Sequence, residues 1–340
     1  MNYDEWVSPF ADHTRARIDE FATRYRLYSS LGLPQGPMLR AHCSVNDYMF
    51  PRAEPDRLYA TGLMMVYFFV FDHIYDTDTS PSSWLLRVRQ RLARNVARTI
   101  EGSAPGSVLG SAPGPAPGPA PDPDHFELAI ADIMAMFQSE DEAWLAGFSA
   151  RLLRYIDATL LGKDTAQKRP QTSIEEYLEI RQHDSGGLWS AYLIEYAHRQ
   201  YLTPEQRADP RVVRASQLCM WVCSLINDLF SYAKEKATED APFNAIYFAM
   251  SVRGLGELDA AHFICEQANR YLAQFEALVA SPVFCQSEAI VSYTQGLREF
   301  VSGVWYWHQK SGLYTHPQSL FAELRGRAIS EPERRQASGA

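Results

Sequence analysis

The sequence predicts an all-α fold, and three observations carry that prediction. Nearly every segment repeats its apolar residues with helical period. No alternating run flanked by turn signals argues for a sheet. The longest polar stripes follow i, i+4 spacing, so they lie on helix faces.

Taken in order, Asp12-His13-Thr14 is expected to cap a helix over 14–31. Helical patterns follow over 56–77, 82–101, 125–138, 140–162, 173–198, 209–237, 241–252, 258–279 and 285–311. Residues 103–124 are a Pro/Gly/Ala stretch containing Ala-Pro-Gly-Pro-Ala-Pro-Gly-Pro-Ala-Pro. Proline removes amide donors and glycine favours disorder, so this stretch reads as a solvated loop or spacer between two helices. The segment 326–340 is polar and reads as a flexible tail. The chemistry-bearing stretches lie on both sides of the Pro-rich loop. The whole of 1–340 is therefore expected to form one helical domain.

Composition excludes several function classes. Hydrophobic residues make up 46% and charged residues 21%, which are globular values. The net charge of −9 argues against a nucleic-acid surface. The run Leu63 to Phe71 is too short to span a membrane and ends in carboxylates. Met1 to Glu5 lacks the basic-then-apolar pattern of a signal peptide. Five cysteines, an odd number in apolar helical patterns, suggest a reducing, cytoplasmic setting without disulfides. Aromatics at 12% suffice to line a large apolar pocket as well as a core.

Two stretches carry chemistry. In Asn227-Asp-Leu-Phe-Ser231-Tyr-Ala-Lys234-Glu235, an amide, a hydroxyl and a carboxylate fall at i, i+4 and i+8. They form one stripe with steps of about 6 Å. These are hard oxygen ligands of the type that suits Mg2+, and Lys234 adds a point charge for a phosphate. An ordinary solvated face is the plain alternative. The preceding run Leu218 to Ile226 is apolar nearly all round, so the stripe begins on a buried helix, where unpaired polar groups are costly. In Phe68-Phe69-Val-Phe-Asp72-His73-Ile-Tyr-Asp76, two carboxylates at i and i+4 end an aromatic helix. The plain alternative there is the wet end of a core helix, since Asp78 and Ser80 continue the polar trend. Likewise, a surface ion pair with Asp184 is the plain alternative for Arg181.

The stretch 227–235 resembles the Asn-Asp-x-x-Ser-x-x-x-Glu metal motif of class I terpene synthases, and 68–76 resembles their aspartate-rich motif. The two stand in the family's order, about 150 residues apart. Arg181, Asp184 and Ser185 fall 46 to 42 residues before Asn227, where the family has its diphosphate-sensing Arg, linker Asp and effector residue. Gly186-Gly187 supplies the helix break expected there. The resemblance covers roughly residues 5–315.

The resemblance implies an antiparallel bundle around a central apolar cavity. It implies Mg2+, three ions with Mn2+ as an alternative, held by Asp72, Asp76, Asn227, Ser231 and Glu235. The substrate would be a prenyl diphosphate of C15 or C20, its diphosphate met by Arg181, Asn227, Lys234, Lys310 and Tyr314. Phe68, Phe69, Trp189, Trp221 and Trp307 would supply cavity aromatics, and a homodimer is an assembly consistent with the resemblance. Two departures stand out. His73 replaces the motif's second Asp, while Asp72 keeps its main ligand. Leu313 stands where the family has an Arg, with Lys310 one turn earlier as the substitute cation. A chain-elongating prenyltransferase of the same fold is the nearest rival, but it needs two Asp-rich motifs. A helical binding protein that has lost activity is the rival from another class.

Overall fold

The computed structural model of the chain describes residues 4–77, 90, 93–94, 125–166, 171–237, 243–314 and 319–320, though not the side chains of 75–77, 159–166 and 184. The Pro-rich stretch 103–124, the tail 326–340 and, apart from single residues, the expected helix over 82–101 lie outside them. Among the described residues there is no strand, as the all-α reading required.

The described helices are α1 (Ala11–Arg24), α2 (Gln35–Met49), α3 (Pro55–Thr77), α4 (His125–Ala135), α5 (Glu142–Ala166) and α6 (Ile174–Asp184). They continue with α7 (Gly187–His198), α8 (Pro204–Ala208), α9 (Pro210–Lys236), α10 (Ala245–Arg253), α11 (Glu257–Val279) and α12 (Glu288–Lys310). Short 3-10 turns sit at Ser29–Leu31 and Pro282–Cys285. Helix α7 is the hub. It packs on α3, α5, α6, α9 and α12, and every residue from Trp189 to Ala197 is buried. Around it, α12 packs on α2 and α9, α2 on α3, and α9 on α11.

Local chemistry fixes the helix starts. Asp209 caps α9 by accepting from the Arg211 amide at 2.8 Å, with Pro210 in the first turn, where its missing N–H costs nothing. Asn244 caps α10 through the Ile246 amide, and Ser287 caps α12 through the Ile290 amide. The expected cap at Asp12-His13-Thr14 is not used. Helix α1 begins at Ala11, and the Thr14 hydroxyl donates back to the Phe10 carbonyl at 2.8 Å. It also ends early, at Arg24, because Arg26 turns left-handed with φ +51°.

Helix α2 has no counterpart among the sequence expectations. Its inward face mixes Leu39, Val45 and Met49 with buried His42, Asn46 and Asp47, which blurs the apolar period. Each polar group is matched inside. His42 meets the Tyr28 hydroxyl at 3.0 Å, Asn46 donates to the Leu58 carbonyl at 2.9 Å, and Asp47 pairs with Arg15 at 3.0 Å.

The pattern read over 173–198 is two helices. The chain breaks at Gly186, whose φ of +68° favours glycine, and a Cβ there would sit 2.9 Å from Trp189 Nε1. A second glycine sets a helix contact. A Cβ on Gly303 of α12 would lie 2.6 Å from the Tyr48 carbonyl carbon and oxygen of α2. Backbone cannot yield as a side chain can. Gly303→Ala should therefore cost about 1–3 kcal/mol through overpacking, outweighing the gain of about 1 kcal/mol in helix propensity. Urea unfolding reads the sign, and a stabilised variant would show that α2 and α12 do not approach this closely.

Candidate active site

The site is built from the C-terminal end of α9, the end of α6, the end of α3 and the segment after α12. Its anchor is Asp228, which has no solvent exposure. The carboxylate accepts from the Tyr177 hydroxyl at 2.5 Å, from Arg181 Nε at 3.0 Å and from the Ala245 amide at 3.2 Å. Burial pushes its carboxyl up, and the Arg181 charge with these hydrogen bonds pulls back down. Burial likewise raises the Tyr177 hydroxyl, which stays protonated and able to donate.

From Asp228 the network reaches the predicted stripe. Arg181 Nη2 donates to Asn227 Oδ1 at 3.0 Å. The Asn227 amide nitrogen donates to His308 Nε2 at 3.0 Å and to the Tyr314 hydroxyl at 3.3 Å. One helical turn on, Ser231 is buried and its Oγ makes no hydrogen bond of full geometry, although it lies near enough to Glu235 to lower that carboxyl. Glu235 accepts from Asn244 at 2.9 Å, and Asn244 also donates to the Asp228 carbonyl. Burial, then the Asp228 charge, raises the Glu235 carboxyl on balance.

The aspartate-rich end arrives from α3. Asp72 accepts a hydrogen bond from the Tyr155 hydroxyl of α5. Burial raises the Tyr314 hydroxyl; the charges of Glu235 and Asp72 add to that, while Arg181 lowers it. Asp72, Arg181, Asn227, Glu235 and Tyr314 thus share one electrostatic neighbourhood. The side chains of Asp76 and Asp184 lie outside the described residues. Ser185 caps α6 at the break, and its Oγ accepts from the Gly187 amide at 3.3 Å.

The aromatics form two groups. Phe68 meets Trp189 with ring centres 4.9 Å apart and Tyr155 at 5.5 Å. Phe69 stacks on His42 at 4.5 Å and lies 5.6 Å from Trp307, which meets Tyr314 at 5.5 Å. Tyr155, Trp189 and Gly186 line a cleft of about 220 Å³ beside the α6–α7 break. A larger hollow of about 800 Å³ lies at the far end of α7, around His198 and Arg52, away from the stripe.

Two expected site residues are not brought here. Lys310 pairs with Glu5 of the N-terminal segment. Trp221 faces the other side of α9, against Tyr271 of α11 at 5.1 Å and under the Arg214 guanidinium at 4.7 Å. Its place on the apolar helix is right, but the face is that of the α9–α11 contact. Lys234 is exposed, and its charge is felt by the His42 ring. Leu313 is half-buried against the core.

Sequence reasoning missed Tyr155, Tyr177, Asp228, His308 and Asn244 as members of the network. Two signals were present. Tyr177 stands one turn before Arg181 on the same face, and Asp228 follows Asn227 on a helix already read as buried.

The donor set fits a hard divalent cation. An amide oxygen, a buried hydroxyl and a carboxyl raised by burial lie on one face of α9. A cation there would reverse the pressure on Glu235.

The family model described as "Terpene synthase family 2, C-terminal metal binding" matches residues 63–274. Terpene synthase 2 of Dictyostelium purpureum is 26% identical over 121 residues, 34% of this chain and 36% of that protein. The 4-epi-cubebol synthase of Streptosporangium roseum, named as cyclizing (2E,6E)-farnesyl diphosphate, is 27% identical over 143 residues, 42% of this chain and 43% of that protein. The chain therefore spans less than half the length of either relative in these matches. The crystal structure of germacradien-4-ol synthase from Streptomyces citricolor superposes with a TM-score of 0.70 at 17% identity, over 91% of this chain and 96% of that one. That likeness shows the helical fold. Among the described residues no helix is long and apolar enough to cross a membrane.

Acid should destabilise the α2 side of the site. Burial first, then the charges of His73 and Lys234, pulls His42 down to about 3 from its ordinary 6.5. The folded value is the lower one. The contribution of neutral His42 is therefore complete above about pH 6.5 and is lost as pH falls toward 3. Denaturant midpoints should fall over that window, with His42 adding about 1.4 kcal/mol per pH unit at most. His42→Gln should flatten the profile, and an unchanged slope would mean that His42 is solvated.

Proposed function

This chain belongs to the terpene synthase family, and from that premise we propose that it ionises a prenyl diphosphate of C15 or C20 and cyclises the resulting allylic cation. The observation that supports this best is the single network joining Arg181, Asn227 and Tyr314 beside Ser231 and Glu235. A diphosphate needs cations and hydrogen-bond donors converging on it, and an allylic cation needs apolar, aromatic walls. The two groups of side chains stand next to each other here.

Asn227, Ser231 and Glu235 on α9, with Asp72 and Asp76 on α3, are the residues that would hold Mg2+. When bound, Mg2+ neutralises the charge of the departing diphosphate. The remaining work falls to the chain. Arg181, now turned toward Asp228 and Asn227, carries the planar fork that can meet two diphosphate oxygens. The Tyr314 hydroxyl, held protonated by burial, donates rather than accepts toward an anion. Lys234 adds charge at the exposed edge. The C–O bond of the substrate breaks with its electron pair leaving on the diphosphate, in a site where pre-set donors are worth most.

Phe68, Trp189 and Tyr155 on one side and Phe69 and Trp307 on the other offer ring faces to the cation. Each is worth about 0.5–2 kcal/mol when water is excluded. Those walls would also fold the chain and keep water from quenching it early. The position of Ser185 at the α6–α7 break, beside the Gly186 that Trp189 approaches, suits a residue that couples Arg181 to the reacting carbon.

The purified protein with Mg2+ should yield volatile terpene from C15 or C20 diphosphate and release diphosphate. C10, C15 and C20 substrates should be compared side by side. Glu235→Gln should lower turnover about 100-fold or more while the circular dichroism stays unchanged. No product from any chain length, or full activity in Glu235→Gln, would sink this reading. Asp72→Asn should likewise be far more damaging than His73→Asn, because only Asp72 is assigned as a ligand.

A further inference from the structure

The orientation of one amide decides whether α9 presents an oxygen or a nitrogen at its first stripe position. Asn227 carries Oδ1 and Nδ2 on a freely rotating group. Only Oδ1 can ligate a cation or accept from Arg181. The structure shows what sets the choice. His308, on α12, has Nδ1 at 2.6 Å from the Val304 carbonyl. A carbonyl accepts only, so Nδ1 carries the proton. Nε2, 3.0 Å from Asn227 Nδ2, is then a bare lone pair and accepts. Were Nε2 also protonated, the amide would have to turn over and bring its NH2 against Arg181 Nη2, donor to donor at 3.0 Å.

We infer that His308 is a positioning residue that locks the Asn227 amide with its oxygen turned away from His308, toward Arg181. This rests on the functional reading above and deepens it. Among the described residues, three neighbours hydrogen-bond the amide, and they are not equivalent. The Tyr314 hydroxyl can donate or accept, so it tolerates either orientation. Arg181 enforces the orientation only while it points at Asn227. Once Arg181 turns to a diphosphate, His308 is the one of these three that still distinguishes oxygen from nitrogen. That is the moment at which Asn227 Oδ1 is needed by a cation.

The ring is itself held. It stacks on Tyr314 with centres 4.6 Å apart, meets Trp307 edge-on at 4.7 Å and packs beside Phe230 at 5.4 Å. A ring wedged on three sides and tied to its own helix cannot offer Nδ1 in place of Nε2.

The test uses Mg2+ with inorganic pyrophosphate and needs no turnover. Melting is followed as Mg2+ is titrated at fixed pyrophosphate for wild type, His308→Phe and His308→Gln. Phe keeps the stack on Tyr314 and removes the acceptor, while Gln keeps an acceptor oxygen within reach. His308→Phe should need about tenfold more Mg2+ for the half-maximal shift, and His308→Gln should lie near wild type. In an Asn227→Asp background there is no amide to orient, so adding His308→Phe should raise the Mg2+ requirement no further. Should His308→Phe fail to fold, His308→Leu removes the same acceptor. The inference is overturned if the acceptor-less variants melt lower without pyrophosphate yet keep the wild-type Mg2+ requirement, because that is a packing role. It is also overturned if Gln fares as badly as Phe. If wild type itself shows no Mg2+-dependent shift, the functional reading falls, and this inference with it.

Discussion

A carboxylate with no access to water is costly, and Asp228 is such a group. Its partners come from two other helices: Tyr177 and Arg181 on α6, and the Ala245 amide at the start of α10. Asn244 closes the arrangement by donating to the Asp228 carbonyl and to Glu235. Removing one partner would leave a buried charge uncompensated, a loss of about 3–5 kcal/mol for pairs of this kind. The ends of α6, α9 and α10 are therefore not free to drift apart. Every proposed diphosphate and metal contact on this side of the site inherits its place from that anchor.

The same anchor explains why Arg181 is poised rather than free. Nε and Nη2 are shared between the buried Asp228 and the half-exposed Asn227. Asp228 lies too deep to follow an incoming ligand, so the guanidinium can turn toward an anion while part of its fork stays bound. The break at Gly186 lies five residues on from Arg181 and leads into α7, the most enclosed helix described here. Under the proposed function, a displacement at Arg181 would reach this enclosed helix, whose first aromatic, Trp189, touches Phe68. Polar end and apolar wall are joined through one short, left-handed turn.

Much of this was legible in the residues. Oxygen side chains at i, i+4 and i+8 at the end of an apolar run forced a polar stripe on a buried helix, and Asn227, Ser231 and Glu235 lie where that reasoning placed them. Arg181 and Tyr314, called through the family resemblance, meet at Asn227. What stayed hidden follows from the kind of signal involved. Periodicity tells which face of a helix is apolar, not which neighbour it meets, so Trp221 looked like a cavity aromatic and is an α9–α11 contact. Helix α2 vanished because His42, Asn46 and Asp47 are buried with partners from α1, the end of α3's first turn and Tyr28, and a polar residue satisfied from afar reads as a solvated one. His308 was visible beside Trp307, but its importance depends on which nitrogen carries the proton, and the Val304 carbonyl decides that.

Lys310 and Leu313 show the same limit in charge rather than packing. By sequence spacing, Lys310 sat one turn before a Leu that stands in an arginine's place, and a substitute cation was the natural expectation. The structure commits it elsewhere. Its ammonium pairs with Glu5, which also accepts from the Tyr48 hydroxyl at 3.3 Å, while the Asp4 carbonyl accepts from Ser302. The N-terminal segment is in this way laid across α2 and α12 and tied to the last turn of α12, just before Ser311 to Tyr314. Partly exposed, the pair itself contributes little to stability. The Tyr314 ring comes to rest four residues on from Lys310, stacked against His308, with its hydroxyl accepting from Asn227. Lys310 is thus committed to the N-terminal segment, and the arginine's place is filled by Leu313, half-buried against the core.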